Sequence, residues 1–249
     1  MLTAKRHQLI EDLLLKKQTV TIQEIMELTK ASESTIRRDL SELEKKNKLI
    51  RVHGGATLHH SKSEEPSFPE KASKYVFEKK AIAETAALLV QPNDCIYLDA
   101  GTTIYEMVPH LTSKEVTVVT NGLTHLDILS KYKINTYLLG GFVKHNTRAL
   151  VGHGAQVSMR KYRFDKCFLG ANGIHTSYGF TTPDPEEALL KNMAIELSQD
   201  AFILADRSKL NQTSFTKFAE LNEATLITND DHANLAAYEN KMNIKVVST

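Results

Sequence analysis

The sequence predicts two domains of different fold class, a small helical domain followed by a larger α/β domain. Three short helical patterns and a Gly-Gly turn occupy residues 1–58. Over residues 73–249, apolar strand-like runs alternate with helical stretches, which is typical of a mostly parallel sheet. The stretch 59–72, HHSKSEEPSFPEKA, contains two of the six prolines among Ser, Glu and Lys and shows no apolar periodicity. We interpret it as a linker between the two domains.

Composition excludes several classes of protein. The chain has 249 residues, with 31 Lys+Arg, 30 Asp+Glu and 41% hydrophobic residues, which argues against collagen-like, disordered and disulfide-framework proteins. No run of about 18 apolar residues is present, and the opening MLTAKRHQLIEDLLLKK does not have the pattern of a signal peptide. We therefore expect a cytoplasmic protein with no membrane partner.

Cysteine and histidine usage predicts neither a redox nor a metal function. Cys95 and Cys167 lie in apolar, strand-like surroundings and are predicted to be buried, unreactive thiols. The histidines are scattered, and His59-His60 is the nearest approach to a metal-ligand spacing. We expect no metal and no cofactor.

Apolar spacing and one cap predict the first two helices. A single apolar stripe within residues 3–17 is formed by Leu9, Ile10, Leu13 and Leu14. Thr21, with Glu24 three positions later, makes a Thr-x-x-Glu capping box at the start of the second helix.

A third helix is predicted after a short turn at 29–31, with Ser32 as its N-cap. Its inward stripe is formed by Ile36, Leu40 and Leu43. At about 100° per residue, the outward face and its flank are small, polar and cationic, and consist of Ser34, Arg37, Arg38, Ser41 and Lys45. Small hydroxyl residues allow close approach to base edges, and arginine donates to guanine or phosphate, so this face suits the major groove of DNA. The alternative is an ordinary solvated helix face.

The segment LIRVHGGATL, directly after this helix, predicts a β-hairpin that turns at Gly54-Gly55. Helix, helix, turn, helix and hairpin together make a winged helix-turn-helix. Arg51 and His53 then lie on the wing, beside the DNA phosphates.

A longer pattern runs through these elements and consists of Arg6, Ile10 and Leu14, then Ser32-x-x-Thr35-Ile36-Arg37-Arg38-Asp39-Leu40, then His53-Gly54-Gly55-Ala56. It closely resembles the DNA-binding signature of the DeoR family of bacterial transcriptional regulators. The resemblance implies that helix 32–46 reads double-stranded operator DNA through Ser34, Thr35, Arg37 and Arg38. Asp39 falls toward the core, where we expect it to pair with an arginine or to cap another helix. The short half-site of one winged domain implies a homo-oligomer, a dimer or a tetramer.

In the larger domain, a strand at 95–98 runs into Asp99-Ala100-Gly101-Thr102-Thr103, and a helix follows at once. Backbone N–H groups, two hydroxyls and a helix N-terminus then converge on one point, which favours a phosphate group. The alternative is a plain helix cap, because threonine caps helices in many proteins.

Further strand ends carry small or amide residues, in the pairs and triplets Asn121-Gly122, Gly140-Gly141 and Ala171-Asn172-Gly173. In an open α/β sheet, the carboxyl ends of the strands line the usual ligand crevice. We expect Asn121, Gly141 and Asn172 to border such a pocket, although each one alone is also typical of a tight turn.

The segment PDPEEALLK predicts the start of a helix. Asp184 is a good N-cap, Pro185 suits the first helical position, and Glu187 completes a start that is similar to a capping box. Glu187 and Lys191 are spaced as an i,i+4 ion pair, so a purely structural role is the local alternative.

The segments LDAGTT, VVTNGL, LLGG, GANGI, TTPDPEEALLK and ADRSK resemble, in this order, the effector domain of the same family, which has a sugar-phosphate isomerase-like fold. The resemblance implies a phosphorylated sugar held by three groups of residues: Asp99, Gly101, Thr102 and Thr103 at the phosphate, Asn121 and Asn172 at the hydroxyls, and Glu187, Lys191 and Lys209 closing the pocket. RFDKCFLGANGIH is similar to the fructose-operon repressors within the family, which implies fructose 1-phosphate as the effector.

We predict a regulator with no catalytic residues. Where the isomerases resemble Asp-Gly-Ala-Asp, this chain reads Gly170-Ala171-Asn172-Gly173, and asparagine does not accept a proton. Asp99 and Glu187 remain as acids, so an isomerase-like enzyme with an accessory DNA-binding domain is one alternative. A constitutive DNA-binding protein with a degenerate pocket is the other.

Overall fold

The computed structural model describes residues 2–17, 19–46, 48–52, 54–58, 65–112, 114–229 and 235–248. The chain divides into two compact units, Met1–Ser61 and Lys62–Thr249, which we call the amino-terminal unit and the sensor unit. The predicted combination of a small winged helix-turn-helix with a larger α/β domain is confirmed. The exact domain bounds at 58 and 73 stay a prediction.

The amino-terminal unit contains three helices and a three-stranded antiparallel sheet. The helices are α1 (Thr3–Lys17), α2 (Ile22–Thr29) and α3 (Glu33–Lys45). The strands are β1 (Thr19–Thr21), β2 (Leu49–Val52) and β3 (Gly55–Leu58), in the order β1-β3-β2. The sequence predicted the β2–β3 hairpin but missed β1, which is too short to show a period.

Local capping explains where α2 begins. The Glu24 amide donates to Thr21 Oγ1 at 3.2 Å, and the Thr21 amide donates to Glu24 Oε2 at 2.8 Å, so the predicted capping box is confirmed. Ser32 does occupy the N-cap position of α3, but its hydroxyl caps no backbone N–H group. It lies against the hydroxyl groups of Ser34 and Thr35 instead, at 3.1 and 2.9 Å.

One apolar cluster holds this unit together. Its fully buried members come from all three helices and all three strands, and include Ile10, Leu14, Val20, Ile25, Ile36, Leu40, Leu43, Leu49 and Ala56. The inward stripe predicted for α3 is therefore confirmed, and the opposite face of α3 is directed to solvent.

A buried ion cluster joins α1 to α3. Asp39 accepts from Arg6 Nη2 at 2.8 Å and from His7 Nε2 at 3.1 Å, and Arg6 Nε also donates to it. Burial works against the charged form of Asp39, but the hydrogen bonds from Arg6 and His7 outweigh it and lower its pKa. The expected pairing of Asp39 with an arginine is confirmed.

The sensor unit is built on a seven-stranded sheet in which every neighbouring pair is parallel. The sheet strands are β4 (Cys95–Leu98), β5 (Thr117–Thr120), β6 (Asn135–Leu138), β9 (Phe164–Gly170), β12 (Ser198–Leu204), β14 (Thr225–Thr228) and β15 (Ile244–Val246). Two small antiparallel pieces accompany it: the hairpin β7 (Phe142–Lys144) and β8 (Ala149–Val151), and the sheet β10 (Gly173–His175), β11 (Gly179–Thr182) and β13 (Thr216–Ala219).

Helices cover both faces of the parallel sheet. They are α4 (Phe68–Ala72), α5 (Val76–Ala87), α6 (Thr102–Tyr105), α7 (His125–Lys131), α8 (His153–Met159) and α9 (Pro185–Glu196). One core joins α5, α6 and α7 to one face of the sheet, and a second core joins α8 and α9 to the other. Side chains alternate between these cores along β4, since Ile96 and Leu98 belong to the first and Tyr97 to the second.

The strand order is β15-β14-β12-β9-β4-β5-β6, so successive strands are added in one direction from β4 to β6 and in the opposite direction from β9 to β15. The winding of the chain therefore reverses between β4 and β9. In doubly wound sheets the crevice at such a switch point, beyond the carboxyl ends of the strands, is where ligands bind. The residues that follow β4 and β9 therefore lie where ligands bind in sheets of this topology.

The described part of the predicted linker, 65–72, contains a helix that the sequence pattern did not indicate. The Ser67 amide donates to Glu70 Oε2 at 2.7 Å at the start of α4, and Phe68 is buried. The prolines at 66 and 69 suggested a break, whereas Pro69 is accommodated in the first turn of α4.

The prediction of two buried cysteines is wrong for Cys95, which is exposed at the first position of β4, and right for Cys167, which is fully buried. Burial raises the pKa of the Cys167 thiol to about 12.

A thiol reagent should therefore label one cysteine of the native chain quickly, and both after unfolding in guanidinium. In Cys95→Ser, fast labelling should disappear; labelling of Cys167 at the rate of an unfolded thiol would contradict its burial.

Candidate functional site

The first candidate site is the outward face of α3 in the amino-terminal unit. Arg38 is more accessible than Arg37, since its side chain is 82% exposed against 53%, and its Nε lies 3.9 Å from the Glu42 carboxylate. Arg37 is also exposed, but its guanidinium donates to Glu33 Oε1 at 2.6 Å. Both arginines can reach a partner in solution, and Arg38 gives up the weaker contact in doing so.

The wing contributes one guanidinium to the same surface. Arg51 Nη1 donates to Ser41 Oγ at 2.8 Å, and the Arg51 amide donates to Glu44 Oε1 at 2.9 Å, so β2 is fastened to α3. Ser34 of α3 is exposed, while Thr35 is half-buried. The predicted wing residue His53 lies outside the described residues.

The second candidate site lies at the switch point of the sensor unit. Asp99, which follows β4, forms a buried ion pair with Lys191 of α9. Asp99 Oδ2 also accepts from the Gly170 amide at 3.1 Å, across the crevice between β4 and β9. These contacts bring together a predicted phosphate residue and a predicted pocket-closing residue.

Glu187 is buried near this pair, but the predicted i,i+4 ion pair between Glu187 and Lys191 is wrong. Glu187 Oε1 accepts from Lys144 Nζ at 3.0 Å and from Thr147 Oγ1 at 2.7 Å. Lys191 reaches Asp99 instead, because that carboxylate is buried and offers a stronger partner than a helix-surface contact does. Asp184 caps α9 as expected, accepting from the amides of Glu186 and Glu187.

The two predicted asparagines already have partners inside the protein. Asn121 Oδ1 accepts from the Ala100 amide at 3.1 Å, and its Nδ2 donates to the Leu150 carbonyl at 3.3 Å. Asn172 Oδ1 accepts from Thr182 Oγ1 at 3.2 Å. Asn121 thus holds the loop after β4 in place, and a role in binding sugar hydroxyls stays a prediction for both residues.

The Gly-Thr-Thr loop is placed as predicted, with Gly101 as the N-cap of α6 and Thr102 and Thr103 as its first residues. Both threonines are largely buried, and within the described ranges neither hydroxyl makes a hydrogen bond. Helix α6 is a single turn, so its dipole is much smaller than the sequence argument assumed. The two hydroxyls are the groups that this loop offers to an anion, because the amides of Asp99, Ala100 and Gly101 already donate within the protein.

Gly141 is explained by packing. Its φ is +149°, and a Cβ atom there would lie 2.6 Å from the Val151 carbonyl oxygen and 3.1 Å from Ala155 Cβ. Glycine is needed where the chain leaves β6 and passes closely over β8 and α8. Its predicted part in binding an effector stays a prediction.

Two lysines of the sensor unit, the buried Lys79 and the half-buried Lys209, have no carboxylate partner among the described residues, although Lys79 Nζ donates to the Lys71 carbonyl. Burial, opposed by Asp206 and reinforced by Lys209 and Lys71, lowers the pKa of Lys79 to about 8. Burial also lowers the pKa of Lys209, against the charge of Asp206 and together with Lys71 and Lys74. A dianionic ligand would relieve this repulsion, since it favours the charged form of both lysines.

The sequence pattern indicated Lys209 but not Lys79, Lys144 and Glu65. Lys144 bonds residues 79 positions before it and 43 positions after it, and the bonds of Glu65 and Lys79 to Lys71 span 6 and 8 positions, which is no helical or strand spacing. Their burial among charges is visible only in the folded chain.

Among the described residues, no group of three or more His, Cys, Asp or Glu side chains has an arrangement that could bind a metal. Within the same residues, no helix has both the length and the apolar character of a membrane span.

Comparison with known proteins gives a match for each unit. Residues 6–62 match the DeoR-like helix-turn-helix domain, and residues 74–231 match the DeoR C terminal sensor domain. The chain is 52% identical to a protein described as the uncharacterized HTH-type transcriptional regulator FruR of Bacillus subtilis, over 99% of each chain. It is 36% identical to the HTH-type transcriptional repressor GlcR of the same organism, over 91% of this chain and 88% of that protein.

A third relative is the lactose phosphotransferase system repressor of Staphylococcus aureus, which is 32% identical over 96% of this chain and 94% of that protein. Among solved structures, ribose 5 phosphate isomerase A from Neisseria gonorrhoeae is similar over 53% of this chain and 52% of that one. The TM-score of that superposition is 0.40, with 18% sequence identity.

Proposed function

The chain belongs to the DeoR family of transcriptional regulators, and on that premise we propose that it represses a sugar-uptake or catabolic operon under the control of a phosphorylated sugar. It is a regulator rather than an enzyme, since its full-length relatives are named as transcriptional regulators and repressors. The acid that follows β4, Asp99, is held in an ion pair with Lys191, which suits a binding role better than proton transfer.

The exposed face of α3 carries the proposal for DNA. Ser34, Arg37 and Arg38 face solvent on a helix whose other side is fully buried, and Arg51 extends the same surface from the wing. A helix of this kind in the major groove, with a wing on the backbone, reads a short half-site. We therefore also propose a homo-oligomer, a dimer or a tetramer, that acts in the cytoplasm on a repeated or palindromic operator.

Arg38→Ala should weaken operator binding about 5- to 150-fold, equivalent to about 1–3 kcal/mol, if Arg38 contacts a base edge. The measurement is the dissociation constant of full-length protein for a duplex that the protein itself has selected from a random library, at several salt concentrations. A contact to phosphate would instead reduce the salt dependence by about one ion.

Lys161→Ala, which removes an exposed charge from the sensor unit, is the control for this experiment and should bind as the unchanged protein does. Unaltered affinity and salt dependence in Arg38→Ala would remove Arg38 from the interface.

For the effector we propose a sugar phosphate, with fructose 1-phosphate as the first candidate. The support is of two kinds: the Thr102 and Thr103 hydroxyls beside the switch point, and the ammonium groups of Lys79 and Lys209, which have no carboxylate partner among the described residues. Lysine supplies the point charge that a phosphate dianion requires.

A thermal-shift screen of sugar phosphates tests this proposal directly. A ligand present at a hundred times its dissociation constant stabilises the folded protein by about 2.7 kcal/mol, so fructose 1-phosphate should raise the melting temperature by several degrees. Thr102→Ala and Lys209→Ala should abolish the shift and keep operator affinity.

The two alternative functions predict different results in the same screen. A constitutive DNA-binding protein predicts that no sugar phosphate changes melting temperature or operator affinity. An isomerase-like enzyme predicts turnover that is lost in Asp99→Asn. A strong shift with glucose 6-phosphate and none with fructose 1-phosphate would replace the proposed sugar but keep its class.

A further inference from the structure

Glu65 is a buried carboxylate at the start of the described part of the sensor unit. Its side chain is only 5% exposed and bonds to two ammonium groups, Lys71 Nζ at 2.9 Å and Lys144 Nζ at 2.5 Å. Lys71 comes from the adjacent helix α4, whereas Lys144 ends β7, 79 positions further along the chain. Glu65 therefore fastens the beginning of this unit to the β7–β8 hairpin.

Three further contacts hold the segment 65–68 in the same place. Asn146 Nδ2 donates to the Glu65 carbonyl at 2.6 Å, and the Phe68 amide donates to the Asn146 carbonyl at 2.9 Å. The Phe68 ring packs edge-on against Tyr105 of α6, with 6.0 Å between the ring centroids. The segment thus rests on the hairpin on one side and on the helix of the Gly-Thr-Thr loop on the other.

Lys144 is shared between this segment and the candidate effector site. The same Nζ lies 2.8 Å from Asp184 Oδ2 and 3.0 Å from Glu187 Oε1, so one ammonium serves three carboxylates. The ammonium has three N–H donors but one positive charge and one position, so drawing it closer to one carboxylate weakens its attraction to the others. Glu65 and Glu187 are therefore coupled through Lys144 although they do not bond to each other.

We propose that Glu65 couples the sensor pocket to the chain that leads to the DNA-binding unit, by competing with Asp184 and Glu187 for Lys144. The inference rests on the proposed function, because Glu187 is one of the predicted effector residues. A ligand that bonds to Glu187 or to Lys144 changes the share of the ammonium charge that remains for Glu65. The strength of the bond that holds residues 65–68 to Lys144 then changes as well.

The segment 65–68 lies close along the chain to the DNA-binding unit, so a change in it can affect DNA binding. Only residues 59–64 lie between β3, which belongs to the wing hairpin, and Glu65. An allosteric effect requires an element with two arrangements that both ligands bias. Residues 65–68, bonded or released at Lys144, are that element.

The first test is Glu65→Gln, which keeps the shape of the side chain and removes its charge. Operator affinity of the full-length protein is measured with and without fructose 1-phosphate, and the ratio of the two dissociation constants is the coupling factor. Glu65→Gln should still bind the operator and the sugar, but its coupling factor should fall at least threefold toward one. A coupling factor equal to that of the unchanged protein would overturn the proposal. Glu84→Gln, an exposed acid on α5, is the matched control and should keep the full factor.

The second test needs no effector and no altered residue within 65–72. Glu187→Gln removes a competitor for Lys144, so the Glu65 bond should tighten and hydrogen exchange of the Phe68 amide should slow at least twofold. The exchange of α5 amides serves as the internal reference. Glu186→Gln, an exposed neighbour on α9, should leave the Phe68 amide unchanged. Unchanged or faster exchange in Glu187→Gln would refute the competition.

The two tests separate this inference from the proposed function. If fructose 1-phosphate and the other sugar phosphates fail to change operator affinity in the unchanged protein, the proposed effector is wrong, and the exchange experiment alone decides whether Glu65 and Glu187 compete for Lys144.

Discussion

Asp39→Ala is expected to unfold the amino-terminal unit while the sensor unit stays folded. The Asp39 side chain is 3% exposed and bonds to Arg6 and His7, which are themselves largely buried. Its removal deprives two buried groups on α1 of their carboxylate, and breaking a buried pair by removing one partner costs about 3–5 kcal/mol. A unit of this size rarely has more stability than that to lose.

Calorimetry of the full-length protein should then show the melting transition of the sensor unit alone, and operator binding should be lost. Asp12→Ala, at an exposed position on α1, should keep both transitions. Asp39→Asn is the informative intermediate, since it keeps the shape but loses the charge. A fully stable Asp39→Ala protein would mean that the apolar cluster holds α1 against α3 without the ion pair.

The Asp99 and Lys191 variants should show the second large effect. The Asp99 and Lys191 side chains are 6% and 5% exposed. Either Asp99→Asn or Lys191→Met therefore leaves one charge buried without its partner, which should lower the free energy of unfolding of the sensor unit by about 3–5 kcal/mol. The double variant replaces the pair by two neutral groups of similar size. It should therefore recover much of the lost stability while the thermal shift with fructose 1-phosphate remains abolished.

Guanidinium unfolding of the four proteins and the ligand-induced shift of the double variant are the measurements. The exposed pair of Lys217 and Glu220 provides the control, because double neutralisation there should change stability by no more than about 1 kcal/mol and leave the shift intact. A double variant that responds normally to the sugar would remove Asp99 and Lys191 from the pocket and leave them a structural role.

The sequence predicted what local spacing determines. The capping box at Thr21, the buried stripe of α3 and the orientation of Asp39 all depend on residues within a few positions of each other. The strand ends at Asp99 and Gly170 were also placed correctly, because parallel strands bring their carboxyl ends to one edge.

The sequence failed where partners are distant or where burial changes the choice of partner. Lys191 is spaced to pair with Glu187, yet it bonds to Asp99, 92 positions away. Lys144 and Glu65 show no pattern at all before folding. Cys95 has apolar neighbours and is nevertheless exposed, because it is the first residue of β4, at the amino-terminal end of the strand.

Strand β1 sets a limit on what the amino-terminal unit can recognise. It pairs with β3, and the Ile22 amide donates to the Gly54 carbonyl at 2.8 Å, so the wing is joined to the start of α2 as well as to α3. The wing and α3 are therefore held at a fixed distance from each other. One extra base pair between the bases under α3 and the phosphates under the wing would move these two contact points about 3.4 Å further apart, and the fixed distance does not accommodate that change.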